Sequence, residues 1–130
     1  MIVGIGTDLC DIRRIKKARI RFPLNFDKKI LTYHEREELR TRNEKNAYVA
    51  KRFAAKEAIY KAFNFSDQSK LSWQQAEILN QGKKGAPVVH LYGNYLSKFN
   101  HQLAVGQTGA IHLSLTDAFP YVMAYVILEK

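Results

Sequence analysis

The sequence contains almost no cysteine, since Cys10 is the only one in 130 residues. A single cysteine excludes an intramolecular disulfide, and a reducing compartment such as the cytoplasm is the expected location. A chain of this length can bury a hydrophobic core without disulfides or a structural metal. We therefore expect one domain that spans residues 1–130.

Long hydrophobic runs are also absent. No stretch approaches the roughly 20 consecutive apolar residues that a transmembrane helix requires. The first residues, MIVGIGTDL, lack a basic segment and reach Asp8 too early for a secretory signal peptide. The sequence thus predicts a cytoplasmic protein with no membrane partner.

Several common catalytic and binding motifs are missing as well. Gly4 and Gly6 are followed neither by the third glycine of a dinucleotide-binding motif nor by a Walker lysine. The four histidines show no paired metal-ligand spacing, which argues against a structural zinc site. No serine lies in a nucleophile-elbow sequence, and the glycine-rich aromatic signature of RNA-binding domains is absent.

Acidic residues are scarce relative to basic ones: 12 oppose 21 lysines and arginines, for a net charge of +9. This charge favours an anionic partner, such as nucleic acid, an acidic membrane, a phosphorylated ligand or an acidic protein. The segment DIRRIKKARIRF predicts a basic amphipathic helix, which is either a docking surface or an ordinary solvated face. Its cations are Arg13, Arg14, Lys16, Lys17, Arg19 and Arg21.

Hydrophobic periodicity predicts helices mostly in the first half of the chain and strands mostly in the second, which is typical of an α+β fold. A first strand is expected to end at Asp8, and Thr32 and Glu35 have the spacing of a capping box. Asn43 is a candidate N-cap for a long helix. The expected helices are residues 11–19, 32–42, 44–63 and 94–104, and the later strands are residues 72–80, 87–93, 110–117 and 121–129, the last of them central.

The long helix contains the segment KRFAAKEAIYKAF (residues 51–63). On a helical wheel one stripe is apolar, and the edge beside it combines alanines with Glu57 and Lys61. Because the alanines are small, we expect this edge to leave room for a ligand. Alternatively, Glu57 and Lys61 form a solvated i,i+4 ion pair, worth about 0.3–0.5 kcal/mol. The stripe consists of Val49, Phe53, Tyr60 and Phe63.

Two carboxylates, Asp8 and Glu57, are the best candidates for chemistry. Carboxylates from two separate elements, completed by water and phosphate oxygens, suit Mg²⁺. Lys61, one helical turn after Glu57, would then reach a phosphate oxygen. The alternative is that Asp8 only forms a turn or caps a helix, a role that Asp11 could equally fill.

Three segments, taken in order, resemble the holo-[acyl-carrier-protein] synthases, the short-chain bacterial group of 4′-phosphopantetheinyl transferases. They are the N-terminal GIGTDLCDIRRI, the helical KRFAAKEAIYKAF, and the pair IHLSLTD and YVMAYVILE near the C-terminus. The resemblance spans essentially the whole chain. It implies a mainly antiparallel sheet packed against a long helix, a homotrimer with active sites between subunits, and transfer of 4′-phosphopantetheine from coenzyme A to apo acyl carrier protein in fatty acid biosynthesis.

The resemblance also implies roles for individual residues. Asp8 and Glu57 match magnesium ligands, and with Lys61, which matches a phosphate-binding lysine, they form the catalytic group. Arg52 and His112 match positions near the nucleotide and phosphates of coenzyme A. The acidic carrier protein would dock on the first helix, where Arg14 matches a docking arginine and Arg13 and Arg21 are charged neighbours.

One segment departs from the family pattern. Where many members have a Gly-Thr-Gly loop, this chain has Asn64-Phe65-Ser66, and a backbone without glycine forms an anion-binding nest less readily. Two other functions therefore stay open. The net charge fits a nucleic-acid-binding protein, and the missing glycines fit a catalytically inactive assembly protein of the same fold.

Overall fold

The computed structural model describes residues 1–64, 72–82 and 85–130. The loop expected at residues 64–70, including the position of the missing glycines, therefore lies almost wholly outside the described residues. The helices are α1 (Ile12–Arg21), α2 (Asn25–Ile30), α3 (Tyr33–Arg40), α4 (Lys45–Phe63) and α5 (Gly93–His101). The strands are β1 (Ile2–Asp11), β2 (Ala76–Asn80), β3 (Pro87–Leu91), β4 (Ala110–Ala118) and β5 (Tyr121–Glu129).

The strands form two antiparallel sheets. One has three strands in the order β1-β5-β4, and the other is the hairpin of β2 and β3. The long helix α4 packs against β1 and β5. The α+β class, the antiparallel sheet on a long helix and the central position of β5 are thus confirmed.

The two faces of the three-stranded sheet have different environments, as the period-2 alternation of a strand dictates. On β5, Val122, Ala124, Val126 and Leu128 are buried, whereas Tyr121, Met123 and Tyr125 are exposed. The buried residues pair in register with the alternate β1 residues Gly4, Gly6, Asp8 and Cys10. This register places Asp8 on the side of the sheet that faces α4.

The alanines of α4 are packing residues, which corrects the expectation that they leave room for a ligand. Ala50, Ala54 and Ala58 are fully buried. A Cβ atom on Gly6 would collide with the carbonyl oxygen of Ala58, and one on Gly4 with that of Ala62. The small residues of helix and strand therefore let the two backbones approach closely, and the sheet fills the space that they leave.

The predicted apolar stripe is only partly the core-facing side of α4. Val49 and Phe63 are buried, but Phe53 and Tyr60 are only partly covered. Phe53 stacks on Trp73 with ring centroids 5.1 Å apart.

A buried ion pair between Lys56 and Glu35 joins α4 to the helices before it. The sequence did not predict this pair. Lys56 Nζ donates to Glu35 Oε1 (2.6 Å) and to the carbonyl oxygens of Ile30 (2.7 Å) and Trp73 (2.9 Å). Burial lowers the pKa of the Lys56 ammonium, although the Glu35 carboxylate opposes this effect. Glu35 also completes the predicted capping box with Thr32, which is confirmed. Because its three acceptors satisfy the ammonium, the pair fixes the relative positions of α2, α3 and α4.

Some element boundaries differ from the expectation. β1 continues to Asp11 because its pairing with β5 extends to Tyr121, so Asp8 lies inside the strand and not at its end. Asp11 accepts a hydrogen bond from the Arg13 backbone and caps α1. The N-cap of α4 is Glu44 and not Asn43, and Trp73–Gln75 is a 3₁₀ helix and not part of a strand. Among the described helices, none is both long and apolar enough to cross a membrane.

We predict that Gly6→Ala destabilises the protein by about 1–3 kcal/mol, the usual range for overpacking a core. The added methyl group would meet backbone atoms of Ala58 and Ala62, which cannot move aside by rotating. Urea unfolding at one fixed protein concentration measures the effect. Ala104→Ser, which also adds one heavy atom but at an exposed loop position, is the control. Equal stability of the two variants would contradict the close helix–sheet contact.

Candidate active site

Asp8 and Lys61 meet where β1 crosses α4. Lys61 Nζ lies 3.1 Å from Asp8 Oδ1 and donates to the Thr7 carbonyl oxygen at 2.9 Å. The Asp8 side chain is mostly covered, with 16% exposure, whereas Lys61 is half exposed at 51%. Asp8 reaches this position because its side chain projects from the face of β1 that α4 covers.

Glu57 completes the charged group, one helical turn before Lys61. Partial burial raises the pKa of the Glu57 carboxyl, the negative charge of Asp8 raises it further, and the positive charge of Lys61 lowers it. This mutual influence follows from the proximity of the two carboxylates. The structure thus brings together Asp8, Glu57 and Lys61, which are the three residues predicted to be catalytic.

The donor set fits a magnesium ion better than a transition metal. No group of three or more His, Cys, Asp or Glu side chains suited to a metal occurs in the described ranges. Two carboxylates and the nearby Thr7 carbonyl are all oxygen donors. Mg²⁺ is commonly held by one or two carboxylates, with water and substrate phosphates as its other ligands. Asp8 and Glu57 are therefore the residues that would hold such an ion.

A cavity of about 240 Å³ opens beside Glu57. Its walls are largely aromatic and include Tyr60, Trp73 and Tyr95. Burial is the main reason that the pKa of the Tyr95 hydroxyl is raised, and the charge of Glu57 adds to this effect. The free space next to Glu57 thus lies on the aromatic side of α4, not on its alanine edge.

Arg52 lies in a different place from Asp8 and Glu57. Its side chain is 2% exposed, and its Nη2 donates to Glu38 Oε1 (2.7 Å) and to Asn80 Oδ1 (2.5 Å). The guanidinium also lies over the Tyr48 ring, 4.3 Å from its centroid. Its assignment as a coenzyme A contact stays a prediction.

Arg52 lines a second cavity of about 660 Å³, which shares no lining residue with the cavity beside Glu57. Arg42 and Lys51 add two cations to this second cavity, while Glu44 and Asp117 add carboxylates, and Lys51 pairs with Asp117 at 3.5 Å. The Arg52 Nε atom is buried and has no hydrogen-bond partner within the described part of the chain. Arg42 and Lys51 were not among the predicted site residues, since nothing in their local pattern distinguishes them from other surface cations.

His112 lies on the exposed face of the three-stranded sheet. It pairs in register with Ile127, and its Nε2 is 3.3 Å from Glu129 Oε1. The sheet therefore separates His112 from the helix-facing Asp8 of the same chain. Its predicted contact with coenzyme A also stays a prediction.

The cations of α1 divide into paired and unpaired residues. Arg13 forms an ion pair of 2.7 Å with Asp11. The hydrogen bonds that the side chain and the backbone of Arg13 donate hold the pKa of the Asp11 carboxyl below its usual value. Arg19 is bound by Asp27 and Asn46, so its role is structural. Arg14 and Arg21 are exposed and form no ion pair with any described residue. Of the three predicted docking residues, these two are thus the more available to a partner.

Comparisons with known proteins agree with this geometry. Residues 4–124 match the 4′-phosphopantetheinyl transferase superfamily. A holo-[acyl-carrier-protein] synthase from Brucella ovis is 40% identical over 129 residues, covering 99% of this chain and 96% of the relative. The crystal structure of the holo-[acyl-carrier-protein] synthase from Neisseria meningitidis has a TM-score of 0.84 at 35% identity and covers 100% of both chains. The Bacillus anthracis synthase, solved in complex with CoA (3′,5′-ADP), has a TM-score of 0.77 at 30% identity, covering 100% of this chain and 98% of that one.

These similarities extend over the whole chain and not only over the three segments that carried the resemblance. The fold, the enzyme class and the family inferred from those segments are confirmed. With Asp8, Glu57 and Lys61 converging on one place, the conclusion is that this chain belongs to the 4′-phosphopantetheinyl transferase superfamily.

Proposed function

We propose that this chain transfers the 4′-phosphopantetheine arm of coenzyme A to a serine of an apo acyl carrier protein and that it depends on Mg²⁺. The observation that carries the proposal is the convergence of Asp8, Glu57 and Lys61 where β1 meets α4. It is supported by relatives named holo-[acyl-carrier-protein] synthase, one of them solved in complex with CoA (3′,5′-ADP).

The proposed reaction is a phosphoryl transfer. The serine oxygen attacks the phosphorus atom that carries the pantetheine arm, and a new phosphorus–oxygen bond forms. The bond from that phosphorus to the bridging oxygen of the diphosphate breaks, and adenosine 3′,5′-bisphosphate leaves. The serine proton passes to a base, for which Glu57 and a water molecule are the candidates. Such reactions depend mainly on positioning and charge stabilisation.

The three central residues have separate tasks in this proposal. Asp8 and Glu57 would hold the metal through carboxylate oxygens. When bound, Mg²⁺ neutralises charge on the diphosphate and stabilises the leaving group. Lys61 binds another phosphate oxygen as a point charge on a flexible stem.

We place the nucleotide end of coenzyme A in the second cavity, where Arg42, Lys51 and Arg52 supply positive charge. The Nε of Arg52, which has no hydrogen-bond partner among the described residues, is a buried donor that an anionic ligand would satisfy. This cavity shares no lining residue with the cavity beside Glu57, and it is not lined by Asp8, Glu57 or Lys61. We therefore propose that one active site combines this cavity of one chain with Asp8, Glu57 and Lys61 of a neighbouring chain. His112, on the exposed sheet face, would then contact ligand near such an interface.

The exposed face of the three-stranded sheet supports this assembly. Ile5 is 54% exposed, Leu9 63%, Met123 41% and Tyr125 38%, and all four lie on that face. A cluster of large apolar side chains on a sheet face marks an interaction surface. We propose that copies of this chain cover this face in a homotrimer, the assembly that is typical of the family.

The carrier protein would dock on α1. Arg14 and Arg21 offer positive charge that no described residue pairs, and Arg13 adds to it despite its ion pair with Asp11. Ile20, Phe22 and Leu24, at the end of the same helix and just beyond it, are exposed apolar side chains. An acidic, partly apolar protein surface complements this combination better than nucleic acid does.

We also propose that this reaction takes place in the cytoplasm and serves fatty acid biosynthesis. The free, buried thiol of Cys10 is compatible with a reducing compartment.

The decisive experiment is mass spectrometry of an apo acyl carrier protein incubated with coenzyme A, Mg²⁺ and this chain. The carrier should gain the mass of one phosphopantetheine group. An unmodified carrier would contradict the proposed function. Tight, salt-sensitive oligonucleotide binding without modification would instead favour the nucleic-acid-binding alternative, and a folded but inactive trimer would favour the assembly protein.

We predict that Glu57→Gln lowers turnover by about 10²–10³-fold and weakens Mg²⁺ binding, because the amide removes one of the two ligand charges. Circular dichroism should stay unchanged, since Glu57 is not a core residue. Isothermal titration with Mg²⁺ and the carrier assay measure the two effects. Glu37→Gln, on the exposed side of α3, is the matched control. Near-normal activity of Glu57→Gln would argue against metal ligation.

For the docking surface, we predict that Arg14→Glu raises the KM for the carrier about tenfold or more, because like charges then face each other. The KM for coenzyme A should change little. Arg40→Glu on α3 makes the same charge change at a position that is 78% exposed and serves as the control. An equal rise of both KM values in Arg14→Glu would contradict the docking role.

For the assembly, we predict that Leu9→Asp disrupts the trimer, because the buried interface would then contain an unpaired charge. Size-exclusion chromatography with light scattering should give three times the chain mass for the wild type and a lower mass for the variant. Val105→Asp, at a fully exposed loop position, is the control. A wild-type mass of one chain would refute the trimer directly.

A further inference from the structure

The Lys61 ammonium lies in surroundings that would suit a metal cation. It contacts a carboxylate oxygen of Asp8 at 3.1 Å and the Thr7 carbonyl oxygen at 2.9 Å, and its charge acts on Glu57. Both contacts are to oxygen atoms, and the second carboxylate, Glu57, is near enough for the ammonium to lower its pKa. The ammonium thus offsets the repulsion between two carboxylates that the fold forces together.

Two lysines of α4 differ sharply in their freedom to move. Lys56 is 3% exposed and satisfied by three fixed acceptors, so it cannot leave its position. Lys61 is 51% exposed and approaches its acceptors from solvent. Its four-carbon stem can rotate outward without breaking the core. Of these two lysines, Lys61 is therefore the one that can exchange one anionic partner for another.

In the proposed function, metal binding by Asp8 and phosphate binding by Lys61 both compete with the contact between these two residues. Asp8 has to offer its oxygen to a divalent cation, and Lys61 has to offer its ammonium to a phosphate. While Lys61 contacts Asp8, the Oδ1 atom of Asp8 is engaged by the ammonium, and two of the three ammonium hydrogens are directed at protein oxygens and not at a phosphate. A divalent ion on Asp8 would also repel an ammonium that stayed within contact distance.

We propose that Lys61 neutralises the carboxylate pair until a divalent cation binds, and that the cation displaces it from Asp8 toward the diphosphate. This inference rests on the proposed function, since it assumes a cation on Asp8 and Glu57. It makes Lys61 a competitor of the metal in the absence of coenzyme A. By linkage, each ligand then favours the other: the metal releases Lys61 for the phosphate, and the phosphate draws Lys61 away from the metal position.

Nuclear magnetic resonance of the lysine ε-methylene groups tests the displacement, with the Lys61 signal assigned from its loss in Lys61→Met. Adding Mg²⁺ without coenzyme A should move the Lys61 signal toward its position in Asp8→Asn, where the ion pair cannot form. The Lys56 signal should stay in place and serves as the internal control. In Asp8→Asn itself, Mg²⁺ should leave the Lys61 signal unmoved.

Isothermal titration provides an independent readout. Without coenzyme A, Lys61→Met should bind Mg²⁺ about two- to fivefold more tightly than the wild type, which corresponds to the usual strength of an exposed ion pair. The factor by which coenzyme A tightens Mg²⁺ binding should be smaller in Lys61→Met. Tighter Mg²⁺ binding by Lys61→Arg than by Lys61→Met would contradict the competition.

The outcomes separate this inference from the proposed function. If Mg²⁺ binds the wild type while the Lys61 signal stays unmoved, the displacement is wrong and the metal site stands. If Mg²⁺ binds neither the wild type nor Lys61→Met, with or without coenzyme A, the metal site of the proposed function is wrong, and the displacement with it.

Discussion

The close approach of α4 to the sheet is the constraint on which the rest of the structure depends. Gly4 and Gly6 face the backbone of α4 at Ala58 and Ala62, and only small residues on both sides permit this distance. The same contact brings Asp8, the next helix-facing residue of β1, beside Lys61 and Glu57. Packing and chemistry are therefore coupled, since a wider separation would move the carboxylates of strand and helix apart.

Two charged groups of α4 differ in burial. Lys56 is enclosed and satisfied, and it joins α4 to the capping-box glutamate Glu35. Glu57 and Lys61 remain partly open to solvent and face Asp8. In the proposed mechanism, this rigid, buried pair supports a neighbouring site whose side chains can change partners.

The separation of the two cavities connects the proposed trimer, formed through the exposed sheet face, to the proposed active site. Asp8 lies on the helix-facing side of β1, near Glu57 and Lys61, whereas Arg42, Lys51 and Arg52 line a separate cavity. A ligand as long as coenzyme A can use both if neighbouring chains supply one each. In the proposed trimer, covering the apolar side chains of the sheet and completing the active site are the same event.

Local periodicity and spacing predicted the α+β class, the capping box and the basic first helix, and the motif resemblance indicated Asp8, Glu57 and Lys61 as candidate site residues. The sequence did not reveal that the sheet fills the space beside the alanines of α4, that Lys56 pairs with Glu35, or that Asp8 lies within its strand. Those features depend on contacts between residues distant in the chain and on the β1–β5 register. The contact of Gly6 with the backbone of Ala58 and the pairing of Lys56 with Glu35 became visible only in the folded chain. The reason is that a local pattern specifies which residues share a face but not which residues cover that face.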